Sequence, residues 1–241
     1  MKRCVKLPSI SFKSKKLHRY LLTESWASAC ARCQTHPKEA ARWTHQAGFY
    51  EGSINTKVLP IHIACALGAP VDVVDSLIEA YPESAREQET CYGRMPLHLA
   101  CIYHVPLGVV NLLLSRFPSG AYFRDAVGRT PIFYACTKGP SVDLIEALLD
   151  ACPDAAKTVD YKGWLPIHVA CHMGASDDVI LKLLDAYPSS AMMRTNSGSL
   201  PKLRPELLAH WNERWRNPHN QNTEPPQEEP HQSFFEIQPI T

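Results

Sequence analysis

The sequence predicts an all-α solenoid of helix-turn-helix units with short turn and hairpin loops, on the evidence of two proline series and one recurring motif. Four segments of the form x-P-x-x-x-A-C place a proline at intervals of 36, 35 and 35 residues. A second proline follows each of these after 22 residues. Self-similarity at a fixed period of roughly 20–50 residues is typical of repeat proteins. The two series are Pro60, Pro96, Pro131 and Pro166, then Pro82, Pro118, Pro153 and Pro188.

The first helix of each unit is predicted to begin at a proline of the first series. Proline suits the first helical turn, where its missing N–H leaves no hydrogen bond unmade. Eight residues later Gly68, Gly139 and Gly174 stand where a helix ends in a left-handed residue. The second unit has His104 there, a residue type that tolerates positive φ. The first helices are therefore short.

The second helix of each unit is predicted from apolar residues at i, i+1, i+4, i+5 and i+8. In the first unit these are Val73–Val74, Leu77–Ile78 and Tyr81, and the other units repeat the pattern. This spacing marks one face of an α-helix. The second-series proline then ends the helix.

The connectors between units are predicted to be tight turns. Each connector has a glycine three residues before the next first-series proline. In two connectors an aspartate, Asp125 or Asp160, lies a further three residues before that glycine. The 22-residue block never varies, so the one extra residue of the first unit lies between Pro82 and Pro96. That tolerance is expected of a loop between rigid helix pairs.

Residues 125–132 (D-x-x-G-x-T-P-I) and 163–170 (G-x-L-P-I-H-V-A) resemble the ankyrin repeat. The resemblance covers residues 57–200, as repeats at about 57–91, 92–126, 127–161 and 162–196. It departs from the family in its period of 35, and Phe133 replaces one signature His. A tetratricopeptide-like array is the alternative, but it does not explain the Gly-x-x-Pro entry turn. The resemblance implies a protein-binding surface on the concave side.

The two ends are predicted to cap the array. Residues 21–56 hold a capping helix and a long loop containing Phe49 and Tyr50, and 201–217 hold a helix that begins at Pro205. A disordered basic arm is expected over 1–20 and a disordered tail over 218–241, because these segments are charged or rich in Pro, Glu and Gln. The apolar SFFEIQPI near the end is either a binding motif or a segment that folds back on the array.

Composition excludes several classes of protein. Hydrophobic residues make up 45% of the 241 residues and the formal net charge is +1. Nine cysteines without a signal peptide argue against a disulfide framework. No apolar run is long enough for a membrane span. We expect an intracellular protein, cytoplasmic or nuclear, that is monomeric and makes no use of a membrane.

No motif predicts a metal site, a cofactor or catalysis. His-x-x-Cys recurs three times, but two ligands are too few for zinc and neighbouring helices are too far apart to share an ion. Cys30 and Cys33 form a C-x-x-C motif inside a predicted helix, where helix packing explains the two cysteines better than metal binding does. No nucleophile arrangement or phosphate loop occurs. We therefore predict that the chain is not an enzyme.

We predict a binding face made of the turn tips and the exposed ends of the first helices. Tyr, Trp and Arg dominate interface energetics, and the basic residues favour a partner protein with an acidic surface. The alternative is a nucleic-acid- or chromatin-associated protein that uses the basic arm. The predicted binding residues are Tyr92, Arg94, Tyr103, Arg129, Lys138, Tyr161, Lys162, Trp164, His172 and Met173.

Overall fold

A computed structural model describes residues 16–50, 56–137 and 139–215. Within these residues the chain forms eleven α-helices and one two-stranded sheet, which confirms the predicted all-α solenoid with hairpin loops. The helices are α1 (Lys16–Leu22), α2 (Trp26–Thr35), α3 (Pro60–Leu67), α4 (Val71–Ala80), α5 (Pro96–Ile102), α6 (Leu107–Arg116), α7 (Pro131–Ala135), α8 (Val142–Ala151), α9 (Pro166–His172), α10 (Asp177–Ala186) and α11 (Pro205–Trp215).

The helices stack in two layers, as the alternation of two apolar patterns predicts. The first helices α3, α5, α7 and α9 pack in one layer, and the second helices α4, α6, α8 and α10 pack in the other. The core lies between the layers, where residues such as Leu77, Leu113 and Ile145 are almost completely buried. Every residue of α3 is buried, so the first helices offer little surface except at their C-terminal ends.

Each second helix is followed by a 3-10 turn that the sequence did not predict. These turns begin at the second-series prolines and cover Pro82–Arg86, Pro118–Tyr122, Pro153–Lys157 and Pro188–Met192. The fixed φ of proline suits the first position of such a turn. The proline therefore both ends one helix and starts the next element.

The N-terminal boundary needs a correction. The sequence predicts a disordered arm through residue 20, but α1 begins at Lys16. Leu17 and Leu21 are buried because they are four residues apart on one helix face and pack against α2 and α3. Residues 1–15 of the predicted arm lie outside the described residues.

The long loop before the first unit contains a β-hairpin. Strands β1 (Thr44–Gln46) and β2 (Thr56–Val58) pair antiparallel, with Thr44 opposite Val58. Phe49 is buried in the core. Residues 51–55 of this loop are not among those described.

The array ends in α11, which begins at Pro205 as predicted. Leu207 and Trp211 are buried, and the Trp211 indole donates a hydrogen bond of 2.9 Å to the Pro188 carbonyl. Leu208, the next residue along the helix after Leu207, is 39% exposed. The predicted tail, residues 218–241, lies outside the described residues. Among the described helices, none is both long and apolar enough to cross a membrane.

Candidate functional site

Three of the four turn tips are built around a buried carboxylate. In the third unit's tip, Asp125 Oδ1 accepts hydrogen bonds of 3.0 Å from the backbone N–H groups of Val127 and Arg129. In the fourth, Asp160 Oδ1 accepts 2.9 and 3.0 Å bonds from Lys162 and Trp164. The aspartates thus fix the loops that carry the predicted binding residues.

The tip before Pro96 contains the extra residue of the first unit, between Glu89 and Arg94. Here Glu89 replaces aspartate, and its Oε1 accepts bonds of 2.8 and 3.1 Å from the N–H groups of Tyr92 and Arg94. The additional methylene of glutamate lets the carboxylate reach across a loop that is one residue longer. In the last tip a threonine hydroxyl, Thr195 Oγ1, accepts from Ser199 at 3.1 Å.

Successive tips are joined by backbone hydrogen bonds. Ala126 N–H donates to Tyr92 O at 2.7 Å, and Tyr161 N–H donates to Val127 O at 3.3 Å. In the next pair of tips, Asn196 N–H donates to Lys162 O at 3.1 Å. The tips therefore form one continuous edge rather than four independent loops.

Arg94 and Arg129 are not the free basic residues that the sequence predicts. Arg94 Nε lies 3.3 Å from Asp125 Oδ2, and Arg129 Nη2 lies 3.0 Å from Asp160 Oδ2. Each arginine pairs with the carboxylate of the following tip, and their side chains are 14% and 30% exposed. Their charges are offset within the array, so their first role is to join neighbouring units.

A cluster of tyrosines surrounds Arg94. Its guanidinium carbon lies 4.4 Å from the ring centre of Tyr92, 4.9 Å from Tyr134 and 5.1 Å from Tyr50. Such distances fit cation–π contacts. The Tyr50 ring also meets Tyr92 edge-on at 4.9 Å, and burial raises the pKa of Tyr50 far above its usual range. The long loop thus covers this end of the predicted face.

Tyr134 is a member of this cluster that the sequence analysis missed. Its hydroxyl donates to Asp125 Oδ2, and Arg94 Nη2 lies 3.0 Å from its oxygen. Burial raises its pKa to about 12. One sequence signal could have identified Tyr134: it is a tyrosine at a position where the other units have the aliphatic residues Ile63, Leu99 and Val169.

The other end of the tip edge is open. Trp164 occupies the position held by Arg129 in the preceding tip, is half-buried, and meets His172 edge-on at 5.6 Å between ring centres. Tyr161 is 70% exposed and Met173 is 43% exposed. Lys162 is exposed beside them. We call Tyr161, Lys162, Trp164, His172 and Met173 the open face.

Tyr103 is half-buried at the end of α5. Lys138 lies outside the described residues. Val127, which the sequence analysis did not select, is 39% exposed, and its tip is bonded to that of Tyr161.

The signature histidines are fully occupied by structural hydrogen bonds. In His62, Nδ1 accepts from Leu59 N–H at 3.0 Å and Nε2 donates to Glu87 O at 3.0 Å. His98 and His168 bond in the same way to the next loop. Burial lowers the pKa of His62 and of His98 to about 4. These neutral rings have no nitrogen left for a metal ion.

The cysteines are packing residues. Burial raises the pKa of Cys65 and of Cys33 to about 12, which suppresses the thiolate form. All eight described cysteines are free thiols. Among the described residues no group of three or more His, Cys, Asp or Glu side chains is arranged to hold a metal ion.

Comparison with protein families finds a match within the array. Residues 102–191 match the family model described as ankyrin repeats, three copies. A search of curated proteins found no match. The matched segment contains the tips built on Asp125 and Asp160 together with α6 to α10, and so includes the open face.

Proposed function

Since this chain carries ankyrin repeats, we propose that it is a scaffold or adaptor that binds a partner protein through the open face. Ankyrin repeats are in general protein–protein interaction modules and are typically not enzymatic. A fold alone does not assign a partner. The choice of face therefore depends on which side chains the array leaves available.

The observation that carries the proposal is the exposure of large side chains along two adjacent tips and one helix end. Tyr161 presents 70% of its surface, although its ring lies over Gly128 of the preceding tip. Met173 and Val127 are also exposed, and Trp164 shows part of its ring. Aromatic residues beside a flexible methionine are typical of binding hot spots.

The other half of the predicted face is a poorer candidate. Tyr50 covers Tyr92 and Arg94, and Arg94 is already paired with Asp125. A partner that used these residues would have to displace contacts that the array makes for itself. We therefore place the partner on the third and fourth units.

The positive charges on and near the open face favour a partner with carboxylates around an apolar centre. Arg124 and Arg194 donate to backbone carbonyls of Val159 and Gly198, at 2.9 and 2.7 Å, and not to carboxylates. Lys162 has no ion-pair partner within the described chain. These three charges stay available, whereas those of Arg94 and Arg129 do not.

We propose a monomer that works inside the cell, in cytoplasm or nucleus, and the eight unpaired cysteines among the described residues support this. We propose no cofactor and no catalysis. The nucleic-acid alternative depends on the basic arm, of which residues 1–15 lie outside the described part of the chain, and no described observation favours it.

Site-specific photo-crosslinking tests the proposed face. A photoreactive phenylalanine analogue replaces Tyr161 in one variant and Tyr122 in another, because Tyr122 is also exposed, at 54%, but belongs to a 3-10 turn that is not part of the open face. We expect a crosslinked partner from position 161 only. The partner, once purified, is titrated with Trp164→Ala and Tyr161→Ala.

Each of these two substitutions should weaken binding by about tenfold or more, since a hot-spot loss of ~2 kcal/mol exceeds one decade in Kd. The melting temperature should change little for Tyr161→Ala. Equal crosslinking from position 122, or an unchanged Kd in both variants, contradicts the proposal.

A further inference from the structure

A cavity lies at the C-terminal end of the array, away from the open face. It has a volume of about 270 Å³ and is lined by Ala191, Met192, Leu200, Pro201, Lys202, Leu203, Leu208 and Asn212. Five of these eight side chains, Met192, Leu200, Pro201, Leu203 and Leu208, are large and apolar. A cavity of about 150 Å³ already accepts a benzene ring, so this one has room for an aromatic side chain.

Two lining residues are more exposed than their chemistry favours. Met192 is 54% exposed and Leu208 is 39% exposed, and both line the cavity. Leu208 belongs to α11, and Met192 ends the 3-10 turn Pro188–Met192. The cavity therefore has apolar lining from two different elements, and part of that lining is exposed.

A polar atom at the cavity also lacks a partner. Asn212 Oδ1 is buried and accepts no hydrogen bond from any described residue. A buried acceptor left unpaired destabilises a protein. An occupant that brings a backbone N–H would satisfy this oxygen, and an extended peptide has such groups free.

The chain itself carries a segment of matching chemistry. Residues 233–240 read SFFEIQPI, with Phe234, Phe235 and Ile237 as apolar side chains. Glu236 among them complements Lys202, which is exposed at the cavity. The ankyrin resemblance and the proposed partner face assign no role to this segment.

The segment is also close enough to reach. Asn212 is three residues before Trp215, where the described helix ends, so the chain leaves α11 within about 5 Å along its axis from the cavity. Residues 216–232 then supply 17 residues. A chain of that length reaches at most about 56–61 Å when fully extended, which is enough for the segment to return to the cavity.

We propose that residues 233–240 dock in cis into the cavity between Met192 and Leu208, and so complete the C-terminal cap of the array. The aromatic side chains fill the apolar volume, and a backbone N–H of the segment donates to Asn212 Oδ1. A docked segment covers Met192 and Leu208 but leaves the open face available to a partner.

Methyl NMR on the full chain tests this docking. The sequence has five methionines, so selective labelling of their methyl groups gives few signals. We expect Phe234→Ala/Phe235→Ala to displace the Met192 methyl signal, because the ring over it is lost. The signals of buried Met95 and of exposed Met173 should stay in place, which also shows that the array remains folded.

A synthetic peptide of residues 231–241, added to that double variant, should return the Met192 signal to its wild-type position. Met192→Gln in the same background should weaken the peptide's affinity by about tenfold, the order expected when one buried methionine is lost. Met193→Gln is the matched control, since Met193 is 40% exposed and does not line the cavity. It should change the affinity less than twofold.

Three results overturn the proposal. The first is an identical Met192 signal in the wild type and the double variant. The second is a wild-type signal that moves on dilution, which would place the segment on a second copy of the chain. The third is equal weakening of the peptide by Met192→Gln and Met193→Gln.

Discussion

Arg129 Nη2 lies 3.0 Å from Asp160 Oδ2, and through this contact one carboxylate joins two repeat units. The other oxygen of Asp160 accepts the N–H groups of Lys162 and Trp164 within its own tip. The Asp160 side chain is 3% exposed. Its charge is therefore satisfied only when the preceding tip is in place, so the pair couples the stability of the two units.

We predict that Arg129→Ala lowers the free energy of unfolding by about 1–3 kcal/mol, because it leaves a buried carboxylate without its cation. The sequence alone suggests a milder effect, since it presents Arg129 as a binding residue. Arg116→Ala is the control: its pair with Asp75 is exposed on both sides and should contribute less than about 1 kcal/mol. Urea unfolding of both variants measures the difference, and equal losses would contradict the coupling.

A second prediction concerns close packing between tips. Gly163 has φ +72°, and a Cβ there would lie 2.7 Å from the backbone nitrogen of Asn196 in the next tip. Gly198 has a similar φ of +80° but no atom within 4 Å of a Cβ. Both substitutions to alanine carry the strain of a left-handed residue, about 1–2 kcal/mol. We expect Gly163→Ala to unfold at a clearly lower urea concentration than Gly198→Ala, because only it also pushes two tips apart.

The helices of the array were predictable because their signals are local. Proline starts and stops act within one turn, and the apolar pairs repeat within ten residues. The 3-10 turns and α1 were not predicted because they are too short to show a pattern. A turn of five residues has no periodicity, and in α1 the helical spacing of buried apolar residues consists of the single pair Leu17 and Leu21. Short elements carry too few residues to reveal a period.

The site was harder to predict because its contacts cross between units. Arg94 pairs with Asp125 and Arg129 with Asp160, each 31 residues apart. The interval between each arginine and its aspartate can be read from the sequence. Only the stacking of the tips shows that the two side chains are in contact. Tyr50 comes from an insertion that has no counterpart in other units, so no pattern could place it over Tyr92.

A third prediction follows from the burial of the cysteines. Burial raises the pKa values of Cys65, Cys101 and Cys136, and the thiolate is the form that reacts. Peptide mass spectrometry after alkylation reads each position separately. We expect partly exposed Cys91 to be modified at least ~100-fold faster than Cys101 in the native protein, and the two to become equal in urea. Fast native labelling of Cys101 would show that the stack opens locally.

The last prediction is a loss of stability in mild acid, caused by the signature histidines. Folding lowers the pKa of His62 and His98 from 6.5 to about 4, because burial disfavours the charged ring. Between these two pH values the unfolded chain binds more protons than the native one, so stability falls as pH decreases. Each histidine should contribute a slope of roughly 1 kcal/mol per pH unit over this window and none above about pH 7. Urea midpoints measured from pH 7 to pH 4.5 give the slope, which His98→Gln should reduce. An equal slope in wild type and His98→Gln would mean that this ring is not held neutral by folding.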